Sequence, residues 1–236
     1  MTLKPAQWQA ACEKELSDFT RQDALHFWGV WHMDGGVKVP PFDYRYEHTK
    51  AVVKLGEWLG QQVGADMDVL LCAAWLHDCR KILGSKKYNE GKDTHAIDAA
   101  EAVAEILEGT DFPPHKIPAV RHAILHHVGL SLDAPLDPLE TACLWDIDKL
   151  SKLGATSLVH FLCINPGFQQ ATTSKALKMG EEWLGTAQRI ASSMNTAPAK
   201  VEAATRLEFL RSFYGRLKCE WEGHHGEEAL YQVAFR

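Results

Sequence analysis

The chain has 236 residues, 46% of them hydrophobic, enough for a single domain with an ordinary core. A formal net charge of −6 gives no electrostatic case for a nucleic-acid partner, and no run approaches the roughly 18 apolar residues of a membrane span. The opening stretch MTLKPAQWQAACEKELSDF lacks the apolar core of a signal peptide, and the six cysteines include no C-x-x-C pair; buried free thiols in a cytoplasmic setting are the expectation.

Apolar residues recur at three- and four-residue spacing throughout, and no sustained alternation predicts a strand. The spacing predicts helices over 5–27, 43–63, 67–83, 93–109, 114–128, 137–153, 155–164, 171–193 and 198–222. Glycines and the prolines of DFPPH, DAPLDP and INPG fall between them. Asp137-Pro138 reads as an N-cap followed by proline at the first helical position. Asn195 or Thr196 caps the last helix, which sets Val201, Leu207, Leu210, Phe213 and Tyr214 on one side. Segments 28–42 and 84–93 read as irregular, and the class is all-α.

Histidine is the compositional outlier, with twelve residues, most of them between 48 and 160. In CAAWLHDCRKI, His77 and Asp78 stand side by side at the end of an apolar helix. Neighbours on a helix differ by about 100°, so both side chains can reach one point beside it. A metal ion suits such a point because it neutralises the carboxylate within apolar surroundings. An isolated His-Asp pair is better read as a solvated helix end, but this pair is not isolated. His48 lies on or beside the apolar stripe of its helix, His95 in the first turn of another, and His122, His126 and His127 near the end of a third. Asp146 and Asp148 occupy an apolar helix, where an unpaired carboxylate is costly. One shared metal accounts for all of them.

In this order, His48, His77-Asp78 and Asp148 resemble the H…HD…D signature of the HD-domain superfamily of metal-dependent phosphohydrolases. EHTKAVVKLGEWLGQQVGADMDVLLCAAWLHDCRKI is similar to that family's two-helix opening, and DIDKLSKLGATSLVHF resembles the D-A-D-[RK]-L-D-A-[LI]-G-A segment of a small bacterial branch. The likeness spans roughly 43–222. It implies an HD-domain helical bundle with additional C-terminal helices, forming a single domain over 1–236. The core would be about 43–165, with the N-terminal helix (1–42) and the C-terminal helices (about 166–236) packed on it.

The resemblance further implies His48, His77, Asp78 and Asp148 as metal ligands. His95 and His126 or His127 stand where some branches hold a second metal, so one or two divalent ions are expected, with Mn, Mg, Fe, Co, Ni and Zn all compatible. Asp146 would support a ligand from another face of its helix. The implied reaction is hydrolysis of a small-molecule phosphomonoester or phosphodiester, nucleotides being the family's commonest substrates. Asp78 would orient or deprotonate water. Lys81 and Lys149 would hold the phosphate, with Arg45, Lys86 and Lys87 as further candidates. Glu47 could act as a base, and Trp28, Trp31 and Phe42 could wall a pocket. Two departures bear on the substrate: HDCRK puts Arg80 where relatives often have glycine, and LSKLG puts Ser151 in place of an aspartate. The ordered H…HD…H…H…D set also resembles the diiron oxygenases related to myo-inositol oxygenase. A non-catalytic ligand-binding or regulatory module is the third alternative. Nothing in the sequence fixes an oligomeric state.

Overall fold

Two aspartates start the helices that matter most. Asp43 accepts a hydrogen bond from the Tyr46 amide at 3.2 Å, and Asp66 accepts from the amides of Asp68 and Val69, so each satisfies amides that a helix start leaves unpaired. The computed structural model describes residues 6–84, 94–168 (over 165–168 the backbone alone) and 172–225. The described residues form nine α-helices: α1 Gln7–Trp28, α2 Tyr44–Val63, α3 Met67–Leu76, α4 His95–Ile106, α5 Ile117–Leu125, α6 Leu139–Leu150, α7 Gly154–Phe168, α8 Thr173–Ser192 and α9 Ala197–Trp221. Lys86 and Lys87 lie outside the described residues. None of these helices is long and apolar enough to cross a membrane.

Helix α3 is the centre of the molecule. Val69, Leu70, Leu71, Cys72, Ala73, Ala74 and Leu76 are all buried, and α1, α2, α4, α5 and α6 pack around them. The same core runs from Trp8, edge-on to Phe112, through Ile147 to Leu207 and Tyr214. Along the C-terminal side, α8 lies against α9 so closely that a Cβ on Gly180 would fall within the Tyr214 ring.

Several expectations need correction. The segment 28–42 contains an antiparallel hairpin, β1 His32–Asp34 with β2 Val37–Val39. Three-residue strands are too short to show alternation, and Gly35 and Gly36, both at positive φ, make the two-residue turn. Helix α3 stops at Leu76, not 83, and α5 stops at Leu125, so the His-Asp pair and His126-His127 all follow helix ends. Asp137 does not cap α6. Pro138 occupies the N-cap, its peptide bond with Asp137 is cis, and no side chain caps that end. Helix α7 continues through Pro166 and Gly167 to Phe168. Thr196, not Asn195, caps α9, and Val201 is 70% exposed rather than on the buried side.

Candidate metal centre

Three histidines are fixed by one kind of bond. His77, at the C-cap of α3, donates Nδ1–H to the Ala74 carbonyl at 2.8 Å, the acceptor that the Asp78 amide would take in a longer helix. His127 repeats this after α5, donating Nδ1–H to the Ile124 carbonyl at 2.6 Å. His48, one turn into α2, has its Nδ1 3.2 Å from Ser151 Oγ. That hydroxyl donates to the Asp148 carbonyl at 2.6 Å, so it accepts from His48. Each ring therefore carries its proton on Nδ1 and presents a bare Nε2 lone pair.

Those lone pairs converge on Asp78. Its Oδ1 lies 3.3 Å from His95 Nε2 and 3.4 Å from His127 Nε2, and the two nitrogens are 3.3 Å apart. Its Oδ2 lies 3.9 Å from His48 Nε2 and 3.8 Å from His77 Nε2. Two buried triads result, His48–His77–Asp78 and Asp78–His95–His127, each with its donor atoms within 4.8 Å of one another. Asp148 joins the first, with Oδ1 3.2 Å from His48 Nε2 and 3.9 Å from His77 Nε2. Among the described residues, neither His48 Nε2 nor His77 Nε2 has a hydrogen-bond partner. Lone pairs facing carboxylate oxygens in a buried site repel; a divalent cation turns that repulsion into ligation. The donor set fits one ion per triad, with Asp78 shared.

The electrostatics agree. Burial pushes the His48 imidazole down to about 4 and His77 down to about 3, so both are neutral at pH 7. Burial opposes ionisation of Asp78 too, but the Lys81 ammonium beside it favours the anion, and the carboxyl is held well below the ordinary range. Lys149 and Lys152 do the same for Asp148. A carboxylate held so low stays ionised and accepts protons poorly, which suits Asp78 to ligation rather than to general-base work.

The residues around the triads divide by direction. Arg45 Nη1 lies 3.2 Å from Asp78 Oδ2, and its Nε is buried with no hydrogen-bond partner among the described residues. Lys81 Nζ lies 3.4 Å from Asp78 Oδ1 on the partly exposed side. Lys149 faces inward: its Nζ, only 2% of the residue being exposed, donates to the His127 carbonyl at 2.8 Å and pairs with Asp148 Oδ2 over the Trp145 ring. It holds ligand-bearing segments together and has no free face for a substrate, contrary to the expected phosphate contact. His126 is exposed, bonded through Nδ1 to the His122 carbonyl and stacked on His122, so it stays out of both triads. Asp146 accepts from the amides and side chains of Asn195 and Thr196 and anchors the start of α9 instead of supporting a ligand. Glu47 is exposed beside Lys50, and Trp31 is 73% exposed.

Residues 45–153 match the family model described as HD domain. Over these residues the chain carries an HD domain. Solved structures give the same fold over nearly the whole chain. A protein from Lactobacillus plantarum is 19% identical at a TM-score of 0.60, covering 94% of this chain and 100% of its own. An HD-superfamily hydrolase from Bacillus thuringiensis is 19% identical at 0.60, covering 92% and 100%. Bacillus subtilis YpgQ, solved in complex with ADP, is 16% identical at 0.57, covering 91% and 97%. No curated protein matches the sequence.

Within this HD domain the two departures read differently. Arg80 turns away from the triads to pair with Glu15 of α1 at 2.7 Å and to lie over Phe19, so it does not contribute to the site. Ser151 sits directly behind His48. Lys152, overlooked in the sequence, pairs with Asp148 Oδ1; its i+4 spacing from an aspartate in a buried helix was the available signal.

Proposed function

We propose that the protein is a metal-dependent phosphohydrolase acting on a small phosphomonoester or phosphodiester. The observation that carries this reading is the pair of buried triads sharing Asp78, bordered by the cations Arg45, Lys81 and Lys152. His48, His77, Asp78 and Asp148 would hold one divalent ion, and Asp78, His95 and His127 a second. When bound, such ions supply an acidified water and shield charge on phosphoryl oxygens. The chain's own part is to keep the imidazoles neutral and oriented and to offer donors to the phosphate. The buried, unpartnered Nε–H of Arg45 is such a donor, since a phosphoryl oxygen would satisfy it. Hydrolysis joins the water oxygen to phosphorus as the P–O ester bond breaks, and a proton passes from the water to the departing oxygen. That YpgQ was solved with ADP supports including nucleoside phosphates among the substrates tried.

Metal-free protein reloaded with Mn²⁺, Mg²⁺, Co²⁺ or Ni²⁺ should hydrolyse members of a broad phosphoester panel, and Asp78→Ala should abolish turnover. A fully loaded protein that cleaves nothing in the panel would sink the proposal. The six-residue donor set also favours a second reading, a diiron oxygenase. Anaerobic loading with Fe²⁺ followed by O₂ admission separates the two, because only the oxygenase consumes O₂ stoichiometrically with product.

A further inference from the structure

A cavity of about 280 Å³ opens beside the metal centre, between α2, α7, α8 and α9. This is close to the lower bound of the roughly 300–1,000 Å³ that small-molecule pockets occupy. Three of its lining residues each touch a proposed ligand. Tyr44 stacks on His48 at 5.8 Å between ring centroids, Ser151 accepts from His48 Nδ1, and Lys152 runs along the cavity wall to reach Asp148. The cavity therefore borders the residues proposed to hold the metal nearest which a phosphoryl group would sit.

Its walls are mostly apolar and aromatic: Tyr44, His160, Phe161, Trp183 and Tyr214 supply rings, with Leu158 and Leu210 between them. Tyr44 and His160 meet edge to face at 5.7 Å, and burial lowers the His160 pKa, favouring the uncharged ring. Ser151, Ser157 and Lys152 are polar, but all three are engaged within the protein; Ser157 Oγ donates to the Gly154 carbonyl at 2.8 Å. Such a wall rewards apolar area and ring stacking. An ionised group there would lose its hydration with few polar groups to replace it.

We propose that this cavity is a ring-binding subsite, holding the organic half of the phosphoester as a flat, uncharged ring system selected by size and stacking. The identity of its ligand as a phosphoester rests on the phosphohydrolase reading; the affinity for a ring does not. The probe is 2-naphthol, titrated by calorimetry into the full chain. Wild type should bind it, and Ser157→Phe, which places a ring in the cavity, should weaken binding at least about tenfold, the low end of what one methylene is worth in an apolar pocket. Phe161→Ala, which removes part of the wall, provides a second variant, with melting temperature reporting that each has folded. No binding to wild type, or equal binding to wild type and both folded variants, overturns the subsite. With metal loaded, Ser157→Phe should also lower the ratio of kcat/KM for 2-naphthyl phosphate to that for ethyl phosphate by about tenfold; an unchanged ratio overturns the role in catalysis. Naphthol binding that the variants weaken, in a protein that cleaves no phosphoester, supports the subsite and rejects the hydrolase reading instead.

Discussion

His77 and His127 each use one bond for two ends. An imidazole Nδ1–H placed on the carbonyl three residues back closes the helix and fixes the tautomer that bares Nε2. His48 reaches the same state through Ser151, so that hydroxyl is the most informative residue to remove. Ser151→Ala leaves the His48 Nδ1–H without its acceptor and should weaken metal binding about 10–100-fold, the usual effect of deleting a ligand's orienting partner. Competition with a metal-binding dye measures this, and an unchanged Kd would rule out the orienting role. Lys149 acts on the other side, as a buried cation between the His127 carbonyl and Asp148. Lys149→Met removes one of the two lysines paired with Asp148, Lys152 staying on Oδ1, and should cost about 1.5–3 kcal/mol in denaturant unfolding of the metal-free chain. A loss well under that would mean Asp148 has other compensation. The residue types that meet in the two triads were readable in the sequence because histidine and aspartate within apolar helices demand a common explanation. Direction was not. Adjacent residues past a helix end leave their exits undetermined, which is why the sequence leaves His126 and His127 open and does not show that Arg80 turns away; for Lys149, helix periodicity did not reveal that its ammonium is used up on Asp148 and the His127 carbonyl.

At the scale of elements, α2 and α3 are set by side-chain caps and the C-terminal pair by a close approach. Asp146 accepts from both amides and both side chains of Asn195 and Thr196, tying the α8–α9 junction to α6, two residues from Asp148. Hydrogen bonds to a charged acceptor contribute about 1.5–3 kcal/mol each, so Asp146→Ala should cost at least about 3 kcal/mol and lower the melting temperature. Gly180 is the matching point on α8, because Tyr214 of α9 fills the space where a side chain would be. Gly180→Ala forces the helices apart or turns the ring, an overpacking cost of typically about 1–3 kcal/mol. Since Tyr214 also lines the cavity, its displacement should be visible as altered 2-naphthol affinity in protein that still folds. A melting temperature equal to wild type would show that the interface yields freely. Helix periodicity made most of these elements visible beforehand. The hairpin escaped because strands of three residues carry no period, and the helix ends escaped because imidazole-to-carbonyl bonds have no sequence signature beyond the histidine itself.

For the whole molecule, the candidate metal centre is also a structural junction. Its six ligand candidates come from α2, the turn after α3, the first residue of α4, the turn after α5, and α6, so five segments far apart in sequence meet at one point. The unfolded chain has no such meeting point, and an ion that binds only the folded state stabilises it by mass action. At a free concentration one hundred times Kd this amounts to about 2.7 kcal/mol for each ion, so for two independent ions in a domain of this size roughly 10–20 °C in melting temperature. Chelation should therefore lower the melting temperature by that amount, and adding back Mn²⁺ or Co²⁺ should restore it. Titration of the metal-free chain should show two ions per chain, and His95→Ala should retain one, because it removes a ligand from only the second triad. His48→Ala should lose the other and abolish most of the stabilisation, because the first triad also carries Asp148. One ion in wild type, unaffected by His95→Ala, would reduce the second triad to a histidine cluster without a metal.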